Sequence, residues 1–345
     1  MNRAELVSKL ELTSRALAPN NLVPIFQCFC FDGESVSTYN DALGIVTPCK
    51  TTGAFAVYGS TLLGLLKNSH TEEVEFSLEA ENEVAIKTGK SRFKLPYFGK
   101  DDFLFKIPDE EWVARLSINE DLLRGLDACL LTSSRDMAQQ KLLGVGLLPY
   151  QKGMAFYSCD GDGLTRYVIG GKAVKGASFL LPNAFCEALI QVTKETKVTT
   201  GALCVNGEWA YAALDNNYEI WGRIDVTDLF DYEDLFLKTV KGEVPFQPVP
   251  KGLDHALSRA RVIADPESAK TVLDVNEGKL RLTTDTHMGI VKDVLTFACA
   301  YDIAVDVSAA LVQRAIGLCD EMAILDRCTV YRHGTNLLMV VSNMG

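Results

Sequence analysis

Apolar residues recur every three to four positions in six stretches of the chain, and at alternate positions in much of what lies between. In the first stretch Leu6, Leu10, Thr13 and Leu17 share one face of a 3.6-residue period, which predicts a helix over 5–17 closed by Pro19. Leu122, Leu126 and Cys129 repeat the pattern within 118–136, and Leu253, Leu257, Ala260 and Ala264 repeat it from about 252. Three further helices are predicted. YGSTLLGLLK (58–67) is short, with Ser60 as N-cap. LPNAFCEALIQVTKETK (181–197) carries Pro182 in its first turn and turns Phe185, Leu189 and Val192 inward. VSAALVQRAIGLCDEM (307–322) is the third.

The intervening segments read as strands: PIFQCFCF, SVSTYN and ALGIVTPC early on, then EVEFSLEA, NEVAIKTG and KSRFKLPYF. Strands also fill 141–169, a closing series over 205–236, TVLDVNEG with KLRLTTDT, RCTVYRH and NLLMVVSN. Asp32-Gly33, Glu81-Asn82, Gly89-Lys90 and Gly170-Gly171 are the turns. Residues 238–251 (KTVKGEVPFQPVPK), with three prolines and no period, read as a linker. First helices thus begin near 4, 119 and 252, and second helices near 59, 182 and 307. The spacing predicts an α+β module written three times, with 345/3 = 115 residues per copy and domains at 1–115, 116–240 and 241–345.

Composition narrows the class. Hydrophobic residues make up 48% and charged residues 23%, as in ordinary globular chains. No apolar run approaches the roughly 18 residues of a spanning helix, so no membrane role is expected. The amphipathic, acid-bearing start MNRAELVSKLELTSRAL is unlike a signal or transit peptide. The ten cysteines form no CxxC pair, and Cys28 and Cys30 are alternate positions of one strand. Buried, reduced thiols in a cytoplasmic protein are the expectation. A net charge of −11 argues against a uniformly basic nucleic-acid binder, although cations gathered on one surface remain compatible with it.

Catalytic patterns are thin. His70, His255, His287 and His333 are dispersed without HExxH or zinc spacing. The run Cys159-Asp160-Gly161-Asp162-Gly163 lacks the downstream glutamate of a calcium loop. Gly170-Gly171-Lys172 has neither the upstream glycine nor the Ser or Thr of a phosphate loop. No enzyme, cofactor or metal site is expected.

The order helix, strands, D-G-x-x-L, proline-led helix and a closing D-x-x-D-Y-x-x-L resembles the bacterial-type DNA polymerase sliding clamp, the beta subunit of the replicative polymerase. The residues that carry the likeness are VAIKTGKSRFKL (84–95), SCDGDGL (158–164), RIDVTDLFDYEDL (223–235), RARVIAD (259–265) and the end LMVVSNMG. The resemblance implies three clamp domains, each with two helices on antiparallel sheets, forming half of a six-domain ring. Such a ring closes as a head-to-tail homodimer, encircles double-stranded DNA without reading sequence, and does no chemistry.

The resemblance also implies three surfaces. DNA-facing cations would be Lys9, Arg15, Lys67, Arg124, Arg135, Lys141, Lys194, Lys251, Arg259 and Arg314. Taken alone, a solvated helix face is the plainer reading of the same residues. Glu5, Asp121, Asp127, Glu187 and Asp254 on these helices would keep such a lining only mildly basic. A hydrophobic groove for short linear motifs of DNA polymerase and clamp loader would use Leu142, Cys159, Gly161, Leu164, Phe230, Leu235, Val340, Val341 and Met344. The dimer interface would use Phe93, Leu95, Val262 and Ile263. Ordinary core positions are the competing reading for both apolar sets. Three features depart from the family: Asp162-Gly163 replaces a His-Arg pair, Phe230 stands where proline is usual, and the chain ends S-N-M-G without the family's Pro-containing tail. A dedicated partner set, as a phage or mobile-element replisome has, accounts for such departures. A three-domain α+β interaction scaffold without DNA encirclement is the alternative function.

Overall fold

The computed structural model of the chain describes residues 1–19, 22–79, 82–105, 111–170, 178–225, 229–264, 270–299 and 301–344. Its first third holds helix α1 (Arg3–Thr13), strands β1 (Cys28–Phe31), β2 (Ser35–Tyr39), β3 (Leu43–Pro48) and β4 (Phe55–Tyr58), and helix α2 (Gly59–Lys67). Strands β5 (Glu75–Glu79), β6 (Glu83–Thr88) and β7 (Ser91–Pro96) follow. The middle third holds β8 (Ala114–Ile118), α3 (Glu120–Leu130), β9 (Gly144–Tyr150), β10 (Gly153–Cys159), β11 (Gly163–Ile169) and β12 (Phe179–Pro182). It continues through α4 (Asn183–Thr196), β13 (Gly201–Val205), β14 (Trp209–Leu214), β15 (Glu219–Arg223) and α5 (Tyr232–Thr239). The last third holds β16 (Gln247–Pro248), α6 (Leu253–Ile263), β17 (Thr271–Asn276), β18 (Lys279–Thr286), β19 (Gly289–Thr296) and β20 (Ile303–Val307). Helix α7 (Ala309–Ile316) and strands β21 (Glu321–Ile324), β22 (Cys328–His333) and β23 (Leu337–Ser342) close it.

Two compact units divide these elements across the thirds: residues 1–123 with 184–225, and residues 124–183 with 226–345. The first unit contains an eight-stranded antiparallel sheet in the order β4-β1-β2-β3-β15-β14-β13-β8 and a three-stranded sheet β5-β6-β7. The second contains an eight-stranded sheet β12-β9-β10-β11-β23-β22-β21-β16 and a four-stranded sheet β19-β18-β17-β20. The two large sheets match strand for strand, each member of the second lying eight places later in the chain. Each also joins strands of successive thirds, through β3 paired to β15 and β11 paired to β23.

Local chemistry explains the helix starts. The Asn2 side chain accepts from the Glu5 N–H at 3.1 Å and caps α1, which buries Leu6 and Leu10. Asp231 caps α5 by accepting from the Asp234 N–H, and Ser308 caps α7 through the Leu311 N–H. Phe185, Leu189 and Val192 on α4 are fully buried, as their spacing predicts.

Several expectations are corrected. Pro24–Gln27 forms a 3-10 turn, with proline where the missing N–H costs nothing, so the first strand begins at Cys28. Ser60 lies inside α2, whose N-cap is Tyr58. Helix α3 stops at Leu130, short of residue 136. Pro182 ends β12 and precedes α4. Residues 232–239 are helical where a strand was expected, because Asp231 caps a stretch whose Tyr232 and Phe236 are buried four residues apart. The linker contains β16, whose Gln247 pairs with Met322. Helix α7 ends at Ile316, and Glu321 and Met322 belong to a strand. Strands β4, β8, β12, β19 and β20 were not anticipated. Glu81 of one expected turn, Gly171 and Lys172, 226–228, Asp265 and Gly345 fall outside the described residues.

The ten cysteines are free thiols, eight of them buried. Burial pushes the Cys28 and Cys319 thiols up to about 12, which leaves them unreactive near neutrality. Among the described residues no helix is long and apolar enough to cross a membrane.

Sheet and helix meet closely at Gly222, where an added Cβ would lie 2.6 Å from Cβ of Phe185 on α4. Gly222→Ala should therefore destabilise the chain by about 1–3 kcal/mol through overpacking. Urea unfolding measures this, and an unchanged midpoint would contradict the close approach.

Candidate functional site

Strand alternation divides the second large sheet into two faces. On one face Phe156 and Tyr167 pack against Gly125 of α3, where a Cβ would sit 2.7 Å from the Tyr167 ring. On the other face Ala155, Tyr157 and Cys159 of β10 meet Leu164 of β11, Val340 of β23, and Cys328 and Val330 of β22. Helix α5 lies on this second face and buries Tyr232 and Phe236 against it. Tyr232 is fully buried, stacks on Tyr157 with ring centroids 5.6 Å apart, and fits because Gly146 has no Cβ.

A polar group is set into this apolar face. Tyr157 donates its hydroxyl to Glu233, and Arg166 on β11 lies 3.5 Å from the same carboxylate. Burial first, and then the Glu233 hydrogen bond, push the Tyr157 hydroxyl well above the usual phenol range, so it stays a donor. The Arg166 guanidinium stands 4.6 Å from the Tyr150 ring centroid and 5.2 Å from that of Phe236. Its Nε is buried without a hydrogen-bond partner.

Six of the nine expected groove residues come together here. Cys159, Leu164 and Val340 are buried members of the cluster, while Leu142, Phe230 and Leu235 pack half-buried around it. Phe230 meets Tyr232 edge to face at 5.5 Å. Gly161 lies in the turn between β10 and β11 with φ 98°, a conformation that favours glycine. Its neighbour Asp160 holds that turn by accepting from the Asp162 and Gly163 N–H groups. Val341 and Met344 are outside the cluster. Val341 is buried on the opposite face of β23, as alternation from Val340 requires. The Met344 N–H donates to Asp306 O at 2.7 Å, and Asn343 bonds the Leu325, Asp326 and Arg327 carbonyls, which ties the chain's end to the β21–β22 turn.

The expected DNA-facing cations divide by their partners. Lys9 pairs with Glu5 at 2.7 Å, Arg15 with Glu195 at 3.2 Å, Lys67 with Glu11 at 2.7 Å and Arg259 with Asp293 at 2.6 Å. Arg124, Lys251 and Arg314 are exposed and make no ion pair among the described residues. Lys194 lies on α4, and Arg135 and Lys141 lie between α3 and β9; all three are exposed. Exposed pairs of this kind contribute little to stability and are easily exchanged.

The expected interface residues lie at edges. Phe93 and Leu95 are on β7, half-buried against the first unit's core, while Arg92 and Lys94 on its other face pair with Glu79 and Glu83. Val262, 82% exposed, and half-buried Ile263 end α6. Tyr157, Arg166, Tyr232 and Glu233 were missed from the sequence. The alternation Ala155-Tyr157-Cys159 was a usable signal, as was the Tyr232–Phe236 spacing once 232–239 is read as helix. Among the described residues no cluster of His, Cys, Asp and Glu is suited to a metal ion.

No protein-family model and no curated protein matches the chain. Solved structures do, over its whole length. The DNA polymerase III beta subunit of Thermotoga maritima matches with a TM-score of 0.85 at 20% identity, covering 100% of this chain and 98% of that one. The DnaN sliding clamp of Bartonella birtlesii, bound to griselimycin, matches at 0.88 and 16% with the same coverage. The beta subunit from DNA polymerase of Streptococcus pyogenes matches at 0.85 and 15%, again with 100% and 98% covered. The chain therefore has the sliding-clamp fold, α+β with a module repeated three times.

Tyr232 anchors α5 to the cluster, so Tyr232→Ala should cost about 3–5 kcal/mol, in the range of large aromatic truncations. Leu235→Ala, at a half-buried position, should cost clearly less. Equal urea midpoints for the two variants would contradict the assigned anchor.

Proposed function

We propose that the chain is a DNA polymerase processivity factor: a non-catalytic sliding clamp whose two copies, head to tail, close a six-domain ring around duplex DNA. The domains of the ring are 1–115, 116–240 and 241–345. The observation that carries this reading is the likeness to clamps over the full chain at TM-scores of 0.84–0.88. The likeness takes in the whole of the clamp fold rather than a fragment of it, with 98% of the neighbours' chains covered.

Two edges support ring closure. Strand β7 is an edge of the three-stranded sheet and β19 an edge of the four-stranded one. Ile290 and Val294 of β19 are 59% and 60% exposed, and an unpaired edge with apolar residues invites a further strand. Pairing of β7 with β19 of a second copy would satisfy both edges. Affinity for DNA in this reading is topological, so the lining needs only weak, exchangeable cations. The ion pairs on Lys9, Arg15, Lys67 and Arg259 suit sliding better than static binding. Those same neutralised cations also favour the second reading, an interaction scaffold that does not encircle DNA.

Partner tethering, by DNA polymerase and clamp loader, is assigned to the apolar cluster on the second large sheet. A half-buried rim around a buried apolar floor, with one polar group set into it, is the composition of a short-motif groove.

Light scattering should give the mass of two chains at micromolar concentration; a strict monomer would count against the ring. Phe93→Ala combined with Ile263→Ala should yield monomers by removing apolar area from a small contact, and persistent dimers would reject that interface. Removing Met344 and Gly345 should leave partner binding and assembly unchanged, because Met344 lies outside the apolar cluster. Weakened polymerase affinity would return the chain's end to the groove.

A further inference from the structure

The two open sheet edges β7 and β19 carry different chemistry. Along β7, alternation turns Phe93 and Leu95 toward the core that holds Leu6 and Leu10 of α1 and Leu62 and Leu66 of α2, and turns Arg92 and Lys94 to the other side. Those two cations are already neutralised within the chain. Arg92 pairs with Glu79, and Lys94 stands 2.8 Å from Glu79 and 3.0 Å from Glu83. Along β19, Asp293 faces α6 and accepts two hydrogen bonds from Arg259, at 2.6 and 3.3 Å. The outward side therefore presents Ile290, Lys292, Val294 and Thr296, all exposed: two apolar residues, one cation and no acid. Lys292 makes no ion pair among the described residues.

The apolar surface continues past the strand. Met288 in the β18–β19 turn is 67% exposed, and the Thr286 hydroxyl donates to the Ile263 carbonyl at 2.9 Å, which holds that turn against the end of α6. The nearest acid on the outward side is Asp285, one strand inward and opposite Ile290. Joining β7 of one copy to β19 of another aligns Phe93 and Leu95 with Val291 and Leu295 on the helix side of the sheet. Arg92 and Lys94 then stand beside Ile290, Lys292 and Val294 on the other side. Neither strand offers the other a free acid, and each copy carries a net charge of −11. What the contact gains is backbone pairing and buried apolar area.

We propose that the β19 face receives β7 of a second copy through an apolar contact without ionic complement, closed by Met288, Ile290 and Val294, so that added salt tightens the dimer. Screening here acts chiefly on repulsion: at long range between two acidic chains, and at the contact between Lys292 and the β7 cations. An interface held by ion pairs between copies responds in the opposite sense. This rests on the reading of two copies as a ring, and it adds how that contact is driven and what regulates it.

The dimer dissociation constant of the intact chain, read by sedimentation over a dilution series, should fall about threefold when NaCl is raised from about 0.1 to about 1 M, which shortens the screening length from about 10 to about 3 Å. A constant that rises or stays level overturns the proposal. Ile290→Ser with Val294→Ser alters only side chains that are exposed in the free chain, so folding is spared. That variant should weaken the dimer about tenfold or more, and an unchanged constant overturns the assigned face. Where the unaltered dimer outlasts the dilution series, the variant's weaker dimer gives the same salt response within reach. Retention on circular DNA, with a clamp loader present, separates the two readings. Dimers that loosen in salt yet are retained overturn the apolar contact alone. Dimers that tighten in salt without being retained support the contact while counting against the ring, and a monomer at every salt concentration overturns both.

Discussion

Backbone hydrogen bonding along two seams, β3 to β15 and β11 to β23, is what the rest of the structure depends on. A strand at a sheet edge leaves a row of N–H and C=O groups without partners. Four strands from one third of the chain would end in such a row at β3 or β11. Joining them to strands of the next third satisfies those groups and makes one eight-stranded sheet of two halves. The helices then have a continuous surface to pack on, and the opposite face becomes a site where segments from different thirds meet. The apolar cluster lies over the second seam, with Leu164 of β11 paired to Val340 of β23. Site and architecture thus have the same origin.

The two seams are finished differently. On the first sheet the chain lays its own aromatic residues over the face. Phe105 lies 6.1 Å from Trp221, and Trp112 stacks on Tyr211. On the second sheet α5 takes that role with Tyr232 and Phe236, and leaves a cavity at its end. In the proposed reading one seam is closed by the chain and the other is kept for partners, an asymmetry that a repeated module acquires by changing a connecting segment.

Much of the fold was legible in the sequence. Helices α1, α3 and α6 begin at Arg3, Glu120 and Leu253, within about one residue of where apolar spacing put them, because each buries one stripe. Legibility failed where a local cap or a short buried segment outweighs period. Asp231 turns YEDLF into helix, and a four-residue strand such as Phe55–Tyr58 is too short to declare alternation. For the site, Cys159, Leu164 and Val340 sit together because turn chemistry fixes their register. Alternation then excludes Val341, which no resemblance in sequence corrects. Arg166 and Glu233 escaped notice because their pairing spans strand and helix far apart in sequence.

The central claim is topological, and circular DNA tests it most directly. With a clamp loader present, the chain should remain bound to a nicked circular duplex through gel filtration, and should be lost once the circle is cut at one site, because a ring slides off an end. Equal retention on circular and linear DNA, or none on either, would contradict encirclement.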